Sequence, residues 1–371
     1  MSTLTRLGWG PFFEEQVRAH DARELKFARV TEEQRGLYRI AGDAIGWAEV
    51  SGRFRHDAAM AADFPAVGDW VGIRVQGSEI PSSGFVVQGS NESRHAIDVL
   101  LSRRSVLSRA AAGDRVEQQV MAANVDTVFL VSALTQELNV RRIERYLTIV
   151  WDAGAVPVVL LNKADLSPDP AAASESIRAR LPLIDVVAMS ALEGANMDAL
   201  TPYLRPAQTI ALLGSSGVGK STLVNRLLGR DAFRVGAARE SDGKGRHTTT
   251  SRQLVELPGG ALLIDTPGMR ELQLWSDESA VDRAFDDIVA LAENCRFADC
   301  AHAGEPGCAV EAAIDSGALD ADRLVSYQRL AREAAFEERK HDKAAAANAK
   351  RRWKQVHKAA RAMYKARERL E

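Results

Sequence analysis

"GSSGVGKST", Gly214 to Thr222, matches G-x-x-x-x-G-K-[ST], and its reading decides the fold. The apolar run "TIALL" precedes it and the helical pattern Leu223, Val224, Leu227, Leu228 follows, so strand, loop and helix stand in the order a phosphate cradle needs. Gly214, Gly217 and Gly219 let backbone N–H groups of the loop, through Ser215, Ser216 and Val218, close around phosphate oxygens where a side chain would block the approach. Lys220 supplies a point charge to the β- and γ-phosphates and is read as catalytic as well as binding. Ser221, followed by Thr222, offers a hydroxyl to Mg²⁺.

Working outward, "VVLLNKADL" places Asn162, Lys163, Ala164 and Asp165 at the end of another apolar strand. The Asp165 carboxylate can accept both N1–H and the exocyclic amine of guanine, whereas adenine offers no such pair of donors on that edge. Unpaired acceptors are costly, so a carboxylate here discriminates between purines and argues against a P-loop ATPase. Asn162 and Lys163 brace the loop and cover the base. "MSAL", one strand further on, supplies the short loop beneath the base, with Ser190 and Ala191 nearest. "LLIDTPG" ends a strand at Asp265, where a carboxylate can hold the Mg²⁺ shell, and puts Gly268 where backbone can swing toward a γ-phosphate. Between the phosphate loop and Asp265 lies "GKGRHTTTSR", in which Thr248, Thr249 or Thr250 could complete the magnesium coordination.

All parts of a GTP site are therefore present, in the order base loop, second base loop, phosphate loop, switch one, switch two. Rotating the chain order leaves the site intact, because ligands bind at the carboxyl ends of strands however these are connected. The expected domain is a circularly permuted P-loop GTPase over residues 113–278, built on a mostly parallel sheet with helices between its strands. One such helix shows in Val140, Ile143, Leu147, Val150 and Trp151. In this order the switch-two strand leads straight into the C-terminal region.

The totals set bounds. A chain of 371 residues suffices for two or three domains, and 46% apolar with 26% charged residues is ordinary for a globular protein. The start lacks a basic and then apolar signal, and no apolar run approaches a membrane span, so a cytoplasmic protein with no membrane contact is expected. The formal charge of -2 conceals a basic tail. Residues 340–371 hold eleven Lys and Arg against three acids, a net +8, which leaves -10 on residues 1–339. Such a tail, with Arg351, Arg352, Trp353 and Lys354, suits RNA phosphates and a stacked base, the alternative being a solvated helix.

Ahead of the GTPase, "GLYRI", "GWAEV", "GDWVGIRV" and "GFVVQG" read as short strands of a small barrel over 36–112. Periodicity does not separate an OB-fold from an SH3-like barrel. Arg53, Phe54, Arg55, Arg103, Arg104 and Arg109 are its available basic and aromatic residues, for nucleic acid or as a solvated face. Residues 1–35 read as an extension with Trp9, Phe12 and Phe13 as docking residues. After the GTPase, residues 279–335 are helix-like around "CRFADCAHAGEPGC", and 336–371 form the basic, Ala-rich tail. Cys295, Cys300, His302 and Cys308 give C-x4-C-x-H-x5-C, three thiolates and an imidazole that suit a closed, structural Zn²⁺ site. The absence of C-x-x-C argues against a redox pair.

Together, "NKAD", "GSSGVGKST", "DTPG" in permuted order and the cysteine spacing make residues 36–335 resemble the RsgA (YjeQ) family of small-subunit-dependent GTPases. The resemblance implies a multidomain α/β chain with an N-terminal OB-like barrel, a circularly permuted GTPase and a C-terminal zinc-binding α-helical domain. It also implies hydrolysis of GTP to GDP stimulated by the 30S subunit, and a role in late maturation of that subunit with contacts to 16S rRNA. A monomer is expected. Met269 stands where a Ras-like enzyme has its water-orienting Gln and cannot hydrogen-bond the attacking water, so isolated turnover should be slow. Likeness to the family's switch-one "GRHTT" makes His247 the candidate catalytic residue, the alternative being an exposed loop histidine. A reading from another class is a GTP-gated RNA-binding regulator in which hydrolysis is incidental.

Overall fold

The computed structural model describes residues 2–19, 25–74, 94–110, 118–135, 138–181, 183–230, 252–265 and 278–335. The fold divides into two units. The first holds residues 1–109 and 117–273, and the second residues 110–116 and 274–371.

Runs of β-branched and leucine side chains with no polar alternation become the buried strands of the first unit, as expected of strands covered on both faces. In chain order its strands are β1 (Lys26–Gln34), β2 (Leu37–Gly42), β3 (Gly46–Val50), β4 (Trp70–Arg74), β5 (Arg94–Leu100), β6 (Val106–Ala110), β7 (Gln118–Ala123), β8 (Thr127–Ala133), β9 (Val156–Asn162), β10 (Asp185–Ala188), β11 (Thr209–Leu213), β12 (Arg252–Glu256) and β13 (Leu262–Asp265). The strands β10, β9, β8, β11 and β13 lie side by side in that order, and each pairs parallel to the next. Their carboxyl ends therefore share one edge of the sheet. All five residues of β11 are buried, and Phe129, Val158, Leu160, Ile210, Leu223 and Leu263 meet in the core on one face.

The helices of this unit are α1 (Thr3–Arg6), α2 (Pro11–Ala19), α3 (Gly52–Asp57), α4 (Val140–Asp152), α5 (Pro170–Arg180) and α6 (Lys220–Leu228). The expected periodic helix is α4. Asn139 caps it by accepting the Arg142 N–H, and its buried face carries Ile143, Tyr146, Leu147 and Val150 at spacings of three and four. Helix α5 starts with Pro170 behind an Asp169 cap, the position where a missing N–H costs nothing.

The expected barrel is present and closed: β1-β2-β3-β5-β4 runs in sequence and β4 pairs back to β1. Val30, Ile40, Val50, Ile73 and Ile97 fill it. "GLYRI" and "GWAEV" fall in β2 and β3, and "GDWVGIRV" carries β4, while "GFVVQG" lies outside the described residues. Strand β1 belongs to the stretch read as an extension, so the barrel begins upstream of residue 36. Charged residues interrupt its apolar alternation, and one of them, Arg29, is 1% exposed.

Burial pulls the Arg29 guanidinium down to about 10, against an opposing pull from Asp126, and leaves it cationic at neutral pH. It donates to the carbonyls of Leu7, Gly68 and Asn124 and to the Thr209 hydroxyl, thereby tying the N-terminal segment, the barrel and the first residue of β11 together. Arg29→Met would take this donor from the Leu7 and Asn124 carbonyls and the Thr209 hydroxyl at about 1–3 kcal/mol each, while the Gly68 carbonyl keeps the Asn124 side-chain amide. Urea unfolding should register a loss of about 3 kcal/mol or more, and an unchanged midpoint would contradict the hub role.

The docking role of the N-terminal aromatics holds for Trp9 and Phe13. Trp9 lies 4.8 Å from Trp70 between ring centroids, and Phe13 is buried. Three of the arginines offered for nucleic acid are paired with side chains of the protein itself. Arg103 donates to both oxygens of the buried Asp69, Arg104 pairs with Asp126 at 3.0 Å, and Arg109 donates to Gln119. Arg53 and Arg55 are exposed. The barrel continues directly into the GTPase sheet, because β1 pairs antiparallel with β12 and Arg252 meets Glu33 at 3.4 Å.

The second unit is helical where described, with α7 (Glu278–Ala284), α8 (Asp286–Ala292), α9 (Ala309–Asp315) and a further helix over 321–335. Arg323 grips both oxygens of Asp287 and lies 4.7 Å from the centroid of the Phe285 ring. The basic tail, 336–371, lies outside the described residues. Among the described residues no helix is long and apolar enough to cross a membrane.

Candidate functional site

Each parallel strand delivers one piece of the site to the common edge. Strand β11 ends at Leu213 and opens into Gly214–Gly219, after which α6 begins at Lys220. Gly214 and Gly219 both hold left-handed backbone. A Cβ on Gly214 would stand 2.2 Å from the Val131 carbonyl oxygen, and one on Gly219 would stand 2.2 Å from Asn162 Nδ2, so neither position accepts a side chain. The Lys220 ammonium bends back over the loop and donates to the Gly214 and Ser215 carbonyls at 2.6 Å each. That places its charge at the mouth of the cradle, where phosphate oxygens would compete for it. From α4, Arg142 donates to the Ser215 hydroxyl at 2.7 Å. Ser216 and Gly217 are exposed at the loop's crest, and Ser221 and Thr222 are half-buried in the first turn of α6.

Strand β9 ends at Asn162, which is 2% exposed. Its side-chain amide donates to the Val218 carbonyl at 2.8 Å, and its Oδ1 accepts the Ala191 N–H at 2.9 Å. One side chain thus joins the base motif, the phosphate loop and the second base loop. Lys163 sits in left-handed backbone, φ 62°, and turns the chain into the short helical turn Ala164–Leu166, on which Asp165 is exposed. Strand β10 feeds Met189, Ser190 and Ala191. The Met189 carbonyl accepts the Ala164 N–H at 3.1 Å, and the Ser190 hydroxyl accepts the Glu193 N–H at 3.2 Å. Asp265 ends β13, with its backbone in register with Gln253. His247, Thr248, Thr249, Thr250, Gly268 and Met269 lie outside the described residues.

The sequence reading overlooked Arg226, whose guanidinium reaches from α6 to the carbonyls of Ala191 and Leu192. The only signal available was a lone basic residue in the last turn of α6. The resulting edge offers a ring of backbone N–H groups and an ammonium at one end, and an exposed carboxylate over a braced loop at the other, which suits a molecule with an anionic end and a hydrogen-bonding ring.

Gly219→Ala follows as a test. The added methyl must displace Asn162 and occupy left-handed backbone, a strain of about 1–3 kcal/mol. Nucleotide affinity should fall about tenfold or more, read by calorimetry, with the circular dichroism spectrum retained. Unaltered affinity would contradict the cradle.

The family model described as RsgA GTPase matches residues 100–275. A relative from Opitutus terrae, named small ribosomal subunit biogenesis GTPase RsgA, is 46% identical over 100% of this chain and 99% of its own length. The chain belongs to the RsgA GTPase family. A Methanosarcina acetivorans relative of the same name is 48% identical over 74% of this chain and 71% of its own length. Among solved structures, YjeQ from Thermotoga maritima aligns with TM-score 0.61 at 23% identity, covering 84% of this chain and 99% of its own. YloQ, described as a circularly permuted GTPase, aligns with TM-score 0.57 at 22% identity over 85% and 97%. The shared fold, with the permutation that the description of YloQ names, bears out the expected fold class.

The second unit brings Cys295, Cys300, His302 and Cys308 together, with their ligand atoms all within 4.8 Å of one another. His302 Nδ1 faces Cys308 Sγ at 3.4 Å and Cys295 Sγ at 3.7 Å. The Glu305 carboxylate accepts the N–H groups of Ala301 and Ala303 and so holds the intervening loop. Three sulfurs and one imidazole nitrogen converging on one point fit a closed tetrahedral metal site.

Proposed function

We propose that the chain hydrolyses GTP to GDP and phosphate when docked on the small (30S) ribosomal subunit, and that nucleotide state times its binding to and release from 16S rRNA in late maturation. The observation that carries the reading is Asn162, which braces the phosphate loop and both base loops from a single strand end. Asp165 accepts the two donors of the guanine edge, Lys163 covers the base, and Ala164, Ser190 and Ala191 form the floor beneath it. Gly214, Ser215, Ser216, Gly217, Val218 and Gly219 wrap the β-phosphate, with Thr222 following in the first helical turn, and Lys220 stabilises the charge that spreads over β- and γ-oxygens as the bond from the γ-phosphorus to the bridging oxygen breaks. Ser221 and Asp265 would hold Mg²⁺, which supplies further neutralisation of that charge, and Gly268 serves the γ-phosphate side. His247 orients the water that attacks the γ-phosphorus. The water's oxygen forms the new P–O bond, the bridging oxygen leaves with GDP, and the proton ends on the released phosphate.

Cys295, Cys300, His302 and Cys308 hold one structural Zn²⁺, which fixes the loop before α9. The protein acts in the cytoplasm as a monomer. Hydrolysis, rather than gating alone, is favoured because the relatives are named as GTPases. Multiple-turnover hydrolysis should rise more than about tenfold with 30S particles, in keeping with a site that completes itself on docking. No rise would overturn the ribosome-dependent activity, and unchanged stimulated turnover in His247→Ala would clear His247.

A further inference from the structure

The frame that holds the base loop has one member that the GTPase motifs do not account for. Arg226 lies in the last turn of α6, the helix whose first residue is Lys220 of the phosphate loop. Its Nε donates to the Ala191 carbonyl at 3.2 Å, and its Nη2 donates to the carbonyl of Leu192. The N–H of the same Ala191 is already held by Asn162, so the loop beneath the base is gripped on its donor side from β9 and on its acceptor side from α6. The backbone at Gly194 passes close under the guanidinium, such that a Cβ there would stand 3.4 Å from Arg226 Cζ. A cation that satisfies two successive carbonyls with its planar fork fixes a loop's orientation as well as its position.

We propose that Arg226 is a positioning residue for base recognition, linking the second base loop to the helix that starts at the phosphate loop so that both ends of a nucleotide are held by one connected frame. The inference rests on the guanine-nucleotide reading of the site. It assigns Arg226 to the base half, because among the described residues its guanidinium donates to the carbonyls of Ala191 and Leu192 and to none in Gly214–Gly219.

The test compares wild type, Arg226→Ala and Arg226→Gln in binding GDP and inorganic tripolyphosphate, which carries the anionic end without a base. Arg226→Ala should bind GDP about tenfold more weakly, the consequence of losing two charge-assisted hydrogen bonds from the loop, with faster release of a fluorescent GDP. Tripolyphosphate affinity should remain within about twofold of wild type, because the P-loop contacts stay in place. Arg226→Gln, whose amide can serve one carbonyl, should fall between, and it decides the matter if the alanine variant loses its folded spectrum. GDP affinity equal to wild type in both variants, or parallel loss of GDP and tripolyphosphate, would overturn the assignment while leaving the nucleotide site standing. A wild-type protein that binds no GDP would instead remove the nucleotide reading, and this inference with it.

Discussion

Asp165→Asn should lose GDP affinity by about a thousandfold or more and gain affinity for the xanthine nucleotide. With guanine bound as proposed, the wild-type carboxylate would present two acceptors to the two donors of the guanine edge. The amide keeps one acceptor for N1–H but sets its own NH₂ against the exocyclic amine, two donors facing each other. Xanthine carries a carbonyl oxygen where guanine carries that amine, so the altered side chain and the altered base are complementary again. A thousandfold corresponds to about 4 kcal/mol, within what a site built for hydrogen bonds loses when polar groups are left unmatched. Asp165 is exposed on a short turn whose shape is set by the backbone of Lys163 and by the Ala164 N–H donated to the Met189 carbonyl. The substitution should therefore spare the fold, and the effect should appear in base selectivity with the melting temperature near wild type. Calorimetric titration with GDP and with xanthosine diphosphate reads both halves. Retained GDP affinity would place base recognition elsewhere.

Cys308→Ser should reduce zinc content from one ion per chain to near none and open the second unit to protease, while the first unit still binds GDP. Cys308 is buried, and its sulfur accepts the Glu311 N–H, so one member of the proposed ligand set also caps α9. In small zinc modules the metal supplies about 10–16 kcal/mol of apparent binding energy, which serves as folding energy. Beside the four ligands, the 14-residue loop is held by hydrogen bonds from its own backbone to Glu305 and from Gln328 to the Ala301 and His302 carbonyls, each worth far less than a metal ion. Elemental analysis and limited proteolysis, each with and without chelator, measure the two effects. Chelator applied to wild type should reproduce the variant's cleavage pattern. A serine variant that keeps both its metal and its protection would count against the structural role.

What the sequence disclosed, it disclosed where chemistry is local. The phosphate loop, "NKAD" and the ligand cluster are each contained within a short run, and the run is the site, so spacing alone predicts which atoms converge. The permutation was legible for the same reason: strand-end loops keep their identity when the connections between strands are redrawn, and the parallel order β10-β9-β8-β11-β13 returns them to one edge. Strand β1 was not legible, because Arg29 stands in the middle of it and a buried arginine reads as a surface residue until its acceptors, drawn from Leu7, Gly68, Asn124 and Thr209, are brought around it. Arg103 misled in the same way. As one of several arginines in a barrel it suggested a nucleic-acid face, whereas Asp69 and the carbonyls of Ala62 and Phe64 enclose it. Arg226 escaped because its partners are backbone carbonyls more than thirty residues away, and backbone carbonyls leave no mark in composition or spacing.

The proposed activity requires that guanine be chosen at one end of the sheet edge while phosphate is held at the other. Titration of the purified chain with GDP and with ADP tests this most directly. One GDP should bind per chain, with ADP weaker by about a thousandfold; equal affinity for the two, or no uptake of either, would contradict it.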